Sequence, residues 1–415
     1  MRLRSSLFAA ALFLVFAAGA SPALAQQSSQ QAEDMQPVPA QDGRWSLERA
    51  EAWEDAHDWP VGANFVPSTA VNQIDMWQDF TFDPETIDRE LEWAADAGFN
   101  MMRVYLHYLV WARDAEGYKE RIDRYLEIAD SHGIKTMFVF FDDVWGDDPA
   151  LGPQPKPVPG IHNSGWVESP GKDERLQREM WPAFEAHVKD IMSAFSGDDR
   201  VLMWDLYNEP GNGKNPPESS LPLLKETVSW AREVDPSQPI TVGVWNFSDA
   251  FAELNEYQIA VSDITSFHSY GDPASTKRKV EELRARTEGR PLICTEYMAR
   301  TNGNTFENHL PYFHDQNIGA VNWGLVRGET QTIYPWEYPK GGTDRAYYNR
   351  WKKAVREVYP WEDAVKVAPE PEEWFHDVFR ADGTPYDPGE VELIRRLAAQ
   401  EAGSGASDDR GEEGR

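Results

Sequence analysis

The sequence predicts an α/β protein: a (β/α)8 TIM barrel with a long loop after the third strand and a C-terminal extension. Three observations predict it. Eight short apolar segments alternate with helix-like segments between residues 61 and 358. The apolar segments lack clean polar alternation, as expected of parallel strands buried on both faces. No Gly-rich phosphate loop follows the first of them, which disfavours the rival doubly wound open sheet.

The first strand falls at 61–66. A helix follows with Asp83 as N-cap and Pro84 at its first position, running through Ile87, Leu91 and Ala94 to Gly98. The second strand is 100–106, and a helix at 118–131 ends at Gly133. The third strand is 135–141; a long helix at 173–195 then leads to the fourth strand at 201–206. The remaining units are a helix at 221–233, strand 240–244, helix 251–257, strand 264–267, helix 276–288 and strand 291–294. A short helix at 307–315, with Pro311 inside it, precedes the last strand at 320–323, and a helix at 343–358 closes the series.

Outside the barrel the composition changes. Residues 1–25 pair Arg2 and Arg4 with an apolar stretch from Leu7 to Ala20 and end Ala23-Leu24-Ala25. That is the pattern of a secretory signal cut after Ala25, so the mature chain is expected to be secreted or periplasmic and free of the membrane. Residues 26–44, rich in Gln, Ser and Pro, read as an unstructured leader, and order is expected to begin near Trp45. The catalytic barrel then spans 45–358, and an extension at 359–402 with Trp361, Trp374 and Phe375 is expected to pack on it. The tail at 403–415 reads as disordered. The one cysteine, Cys294, permits no internal disulfide and sits in a strand as a small hydrophobe. A formal net charge of −30 repels nucleic acid and anionic lipid, so neither is an expected partner. The aromatic content of 12%, with 17 tryptophans, suits stacking on sugar faces, although most tryptophans in any fold are core. The oligomeric state is not legible.

In a barrel of this kind chemistry sits at the C-terminal ends of the strands. Those ends supply Asn64, Arg103 and His107, Asp142 and Asp143, Asn208 and Glu209, Trp245 and Asn246, His268 and Tyr270, Glu296, and Trp323. Two carboxylates stand out: Glu209 in Asn208-Glu209-Pro210 and Glu296 in Thr295-Glu296-Tyr297. Retaining glycoside hydrolysis needs such a pair about 5 Å apart, one as nucleophile and one as acid/base. Glu296 is expected to attack the anomeric carbon, with Arg103 lowering its pKa and Tyr270 setting its angle. Glu209 is expected to protonate the leaving oxygen, its pKa raised by the charge on Glu296. Asn208 suits a sugar 2-hydroxyl, Trp323 a stacking floor, and His268 a hydroxyl contact or the tuning of Glu209. His107 and Trp245 complete the expected substrate-binding set.

The loop at 142–171 carries six prolines and two tryptophans, Trp145 and Trp166, without helical period. A loop so long reads as functional, a wall or lid over the mouth, with both tryptophans lining subsites or packing the loop. Over the mouth it narrows the cleft and favours short oligosaccharides or an exo-acting site. The cluster Asp142, Asp143, Asp147 and Asp148 reads as a solvated charge run rather than a calcium site. No metal-ligand His pair, serine nucleophile elbow or phosphate loop is present, so neither metal nor cofactor is expected.

These residues resemble glycoside hydrolase clan A, and within it the cellulase-like family 5. The similarity covers roughly residues 60–358 and rests on Asn208-Glu209-Pro210 after the fourth strand, His268-Ser269-Tyr270 after the sixth, Glu296 ending the seventh and Trp323 ending the eighth, with Arg103 on the second. The resemblance implies a retaining β-glycosidase acting on a β-linked oligo- or polysaccharide. In one departure, the family commonly carries a His near the end of strand three, where this chain has Asp142-Asp143. A transglycosylase using the same residues and a non-catalytic carbohydrate-binding barrel remain the alternatives.

Overall fold

The computed structural model describes residues 36–41, 43–146, 148–213, 215–336 and 370–400. The expected signal at 1–25, the helix at 343–358, Trp361, Asp147 and the tail at 403–415 lie outside them.

Eight parallel strands form the barrel: β1 (Val61–Asn64), β2 (Met101–Tyr105), β3 (Lys135–Asp142), β4 (Val201–Asn208), β5 (Ile240–Thr241), β6 (Thr265–His268), β7 (Leu292–Tyr297) and β8 (Gly319–Trp323). They are ordered β5-β4-β3-β2-β1-β8-β7-β6, and a single parallel bridge from Val244 to Phe267 joins the two ends. The strand expected at 240–244 is therefore shorter than its apolar run, with Val244 left as the closing bridge. Nearly every strand residue is buried, because helices cover the outer face and side chains fill the inside.

The helices follow the expected places with a few differences. Asp83 caps the helix Pro84–Asp96 by accepting from the Thr86 amide, with Ile87, Leu91 and Ala94 on its buried face. Pro311 sits inside Phe306–Asp315, a helix started by a capping box between Thr305 and Asn308. The long helix expected at 173–195 is three pieces: 3₁₀ turns at Glu174–Leu176 and Arg178–Met180, then an α-helix at Trp181–Phe195. Pro182 belongs in the first turn of a helix and not in its middle, so the α-helix starts at Trp181. The preceding residues turn inward, which buries Arg175.

The leader is partly ordered, in contrast to the sequence reading. The Val38 amide donates to the Arg286 carbonyl at 2.9 Å, and the Gln41 amide to the Ala260 carbonyl at 3.0 Å. Residues 370–400 pack on the barrel. Trp374 and Phe375 are buried, and Arg300 bridges to Glu390 at the start of the helix Pro388–Ala398. No helix among the described residues is long and apolar enough to cross a membrane.

Candidate active site

Strand register brings the candidate residues to one rim. Asn64 pairs with Arg103 on one side and Trp323 on the other; Asp142 pairs with Asn208; His268 pairs with Glu296. These are the strand ends from which the loops leave, so the fold converges their side chains.

Arg103 is fully buried at the centre. Its Nη2 donates to Asp205 Oδ2 and to Asn208 Oδ1, each at 2.7 Å. Its Nη1 donates to Asn64 Oδ1 at 2.8 Å, to the Tyr105 hydroxyl at 2.6 Å and to Glu296 Oε1 at 3.0 Å. Burial alone would discourage the charge, but Tyr105, Asp205 and Glu296 hold the guanidinium more firmly protonated than usual. Arg103 is therefore a rigid hub that fixes four strand ends at once.

Glu296 accepts three side-chain donors. Arg103 and the Tyr105 hydroxyl, at 3.1 Å, address Oε1, and the Tyr270 hydroxyl addresses Oε2 at 2.8 Å. The expected lowering by Arg103 is present but does not win. Burial, the largest influence, and the charge of Glu209 outweigh His268, Arg103 and Tyr270, so the carboxyl lies above its ordinary value.

Glu209 follows β4 in a left-handed conformation, φ +43°, uncommon for a residue with a side chain. The turn is held from several sides. The Gly211 amide donates to Asp143 Oδ2 at 2.8 Å, the Asn212 amide to the Glu209 carbonyl at 3.0 Å, and the Trp245 indole to the Pro210 carbonyl at 3.1 Å. The Asn212 side chain also donates, through Nδ2, to Glu209 Oε2. His268 Nδ1 lies 2.8 Å from Glu209 Oε1 and 3.5 Å from Glu296 Oε2. Burial lowers His268 to about 4, so at neutral pH the ring is uncharged and its Nδ1–H donates to Glu209. An oxygen of each glutamate and a ring nitrogen of His268 lie within 4.8 Å of one another. Such a trio could also ligate a metal ion. Against that, donors from Arg103, Tyr105, Tyr270 and Asn212 already address the carboxylate oxygens that a metal would need.

Several expected residues have other work. His107 caps the short helix Tyr108–Arg113: its Nδ1 accepts from the Leu109 amide and its Nε2–H donates to the Glu168 carbonyl at 3.0 Å. It is fully buried and lowered to about 4 by that burial, so it belongs to the scaffold and not to a substrate subsite. Trp166 is 1% exposed and gives its indole N–H to Asp142 Oδ2 at 2.7 Å; it packs the loop behind Tyr105 and Trp323, and its ring lines a small cavity beside them. Asn246 caps its own turn by accepting from the Ser248 amide. Asp142 and Asp143 are buried hydrogen-bond hubs, not a solvated charge run; only Asp148 of that cluster is exposed among the described residues. Asp142 accepts from Asn208 Nδ2 at 2.9 Å, and burial raises it well above its ordinary value. Trp145, Trp245 and Trp323 are half-buried at the mouth, and Trp323 stands edge-on to Tyr105.

Sequence reasoning missed Tyr105 and Asp205. The signal for Tyr105 was period two: it follows Arg103 by two residues and so shares its face of the strand. The signal for Asp205 was a charge inside an apolar run, which requires a buried partner.

The model of the family described as cellulase (glycosyl hydrolase family 5) matches residues 64–331. The chain belongs to this family. A "Beta-glucuronidase" from Paenibacillus borealis is 30% identical over 185 residues, covering 42% of this chain and 27% of the relative. A "Probable mannan endo-1,4-beta-mannosidase A" from Aspergillus clavatus is 21% identical over 199 residues, covering 43% of this chain and 53% of the relative. The chain thus spans about a quarter to a half of these curated relatives' length. Among solved structures, the exo-β-1,4-mannosidase Op5Man5 from Opitutaceae bacterium strain TAV5 aligns with a TM-score of 0.52 at 15% identity, over 82% of this chain and 59% of that one. A GH5_18 protein from Streptomyces cattleya, solved with GlcNAc, aligns with a TM-score of 0.51 at 15% identity, over 83% and 81%. These family members share the barrel fold with this chain.

Proposed function

We propose that this chain is a retaining β-glycoside hydrolase, with Glu296 as nucleophile and Glu209 as acid/base. The observation that carries the reading is the pair of carboxylates at the ends of β4 and β7, each with an oxygen within 4.8 Å of the other and of His268. A short separation leaves no room for a water between carboxylate and sugar, which favours direct attack by the carboxylate. The donors divide the roles. Arg103, Tyr105 and Tyr270 all address Glu296, which suits it to the ionised, attacking role. Glu209 takes the other role and delivers a proton to the leaving oxygen. Once Glu296 is esterified its charge is gone, and Glu209 can take a proton from the attacking water. The neutral His268 steadies Glu209 without adding charge. Asn208 keeps one amide hydrogen beyond its bond to Asp142, enough to meet a sugar 2-hydroxyl.

The substrate is a β-linked oligo- or polysaccharide, and the names of the sequence relatives place β-mannosides and β-glucuronides first among the sugars to try. The signal-like segment at 1–25 supports a secreted or periplasmic site of action. Glu296→Gln should reduce turnover at least about a thousandfold, ~4 kcal/mol of transition-state stabilisation, with the fold intact by circular dichroism. Glu209→Ala should slow natural glycosides severely, spare substrates with good leaving groups and be partly rescued by azide. Full activity of Glu209→Ala on natural oligosaccharides would refute the acid/base assignment. A chelator should leave activity unchanged, and loss of activity restored by a divalent ion would assign the carboxylate–histidine trio to metal binding instead.

A further inference from the structure

We propose that the site is closed on its glycone side, so that this chain removes single sugars from the non-reducing end rather than cutting inside a chain. The inference rests on the retaining-hydrolase reading. It uses that reading to orient the substrate. Glu209 protonates the leaving group, so the aglycone lies towards β4. Glu296 binds the anomeric carbon, so the remainder of that sugar extends away from β4. In an eight-stranded ring β8 stands opposite β4, and the glycone therefore points at Trp323 and its neighbours on β1 and β2.

That quarter of the mouth is walled. The loop after β3 crosses it and is tied to the loop after β8 by backbone and side-chain hydrogen bonds. The Asn163 amide donates to the Thr330 carbonyl at 2.9 Å, the Gly160 amide to Gln331 Oε1 at 2.8 Å, and Gln331 Nε2 to the Val158 carbonyl at 2.7 Å. The same loop is tied to residues after β1, where Asn72 Nδ2 donates to the Gly165 carbonyl at 2.8 Å and Gln73 Nε2 to the Val167 carbonyl at 2.5 Å. The C-terminal segment adds an outer layer, with the Phe375 amide on the Ile333 carbonyl at 2.8 Å and Thr332 on Asp377 at 2.8 Å. Asn163, Ser164, Trp166 and Thr332 are each no more than 2% exposed. A wall with a buried interior and hydrogen bonds to two other loops is a fixed part of the fold, in contrast to a lid that swings.

At the foot of the wall lies a small cavity, about 20 Å³, whose lining joins the rim residues Asn64, Tyr105 and Trp323 to Asn163, Trp166, Thr332 and Asp377; it has room for one hydroxyl-sized group and not for a sugar ring. Neither polar atom of the Asn163 side chain has a hydrogen-bond partner among the described residues, although the residue is buried. Buried amides are ordinarily satisfied. An amide left open beside the glycone position suits a hydroxyl of the terminal sugar, and the asparagine acts as a specificity-determining residue.

The test uses β-1,4-linked manno- and gluco-pentasaccharides carrying a fluorophore on the reducing end, with the matching aryl β-glycosides alongside. The expected result is free monosaccharide together with labelled products that shorten one unit at a time. Early appearance of several labelled lengths from internal cuts would overturn the closed-end inference while leaving the hydrolase reading standing. No turnover of any substrate would overturn the hydrolase reading beneath it, and this inference with it. Asn163→Ala should raise KM about tenfold with kcat little changed, the loss of one hydroxyl contact. An unchanged KM would remove Asn163 from the glycone pocket.

Discussion

Tyr270 and Tyr105 each spend a hydroxyl on Glu296, and that expenditure predicts a pH profile. Both bonds favour the ionised carboxylate, while burial and Glu209 oppose it; the net position is above the ordinary value of 4.5. Because the nucleophile must be ionised, the acid limb of kcat/KM should fall above that value. Tyr270→Phe removes a donor to the charged form, so the limb should move to higher pH. The plateau should fall roughly tenfold to a hundredfold, about 1.4–2.7 kcal/mol. A limb that stayed in place would mean that Glu296 is not the group being titrated. At this scale the sequence was most informative where a residue ends a strand, because register alone carries Arg103, Asn208, Glu209, His268, Tyr270 and Glu296 to one rim. It was least informative one step further out. His107 and Trp166 have the right residue types, but whether a side chain faces the mouth depends on what packs over it, and no local pattern records that.

Between residues and the whole lies the loop after β3, organised around Arg175 and Asp143. Arg175 Nη1 contacts Asp143 Oδ1 at 2.5 Å and Glu168 Oε2 at 3.0 Å, all three nearly fully buried. Asp143 in turn accepts from the Tyr207 hydroxyl and the Gly211 amide and so holds the Glu209 turn. Arg175→Met would remove the cation that Asp143 and Glu168 share and should cost about 3–5 kcal/mol, read from denaturant unfolding. A loss below about 1 kcal/mol would show that the network is not a structural tie. The barrel strands were legible because each is a short apolar run between turn signals. The break at Arg178–Met180 was not, because helical spacing continues through it while Arg175 is drawn inward by partners distant in sequence. The same long-range pairing makes a charged Asp-Asp sequence a buried hub.

The molecule as a whole combines a net charge of −30 with acids buried in its scaffold. Glu90 is fully buried on the helix Pro84–Asp96, accepts from Ser68, and is raised by burial to about 7. A carboxyl whose folded pKa is raised favours folding most below its unfolded value, near 4.3, and loses that contribution as pH rises through about 7. Stability should therefore fall from pH 6 to pH 8, with about 1 kcal/mol of the fall due to Glu90. Glu90→Gln should shrink the difference by that amount in paired urea titrations, and an unchanged difference would assign the slope to other groups. The barrel itself was legible from eight repeating units. The sequence also pointed to the long loop as a wall at the mouth and to the C-terminal extension as packed on the barrel, but not to the ties that hold them, since each joins residues far apart in the chain.

The central claim is a glycosyl-enzyme on Glu296, and it can be weighed directly. The purified protein would be incubated with an activated 2-deoxy-2-fluoro β-glycoside of the sugar it hydrolyses, then digested and sequenced by mass spectrometry. The account predicts one adduct, of the mass of the fluorosugar, on the peptide containing Glu296 and absent from Glu296→Gln. An adduct on Glu209 or elsewhere, or rapid turnover of the true substrate with release of the inverted anomer, would contradict it.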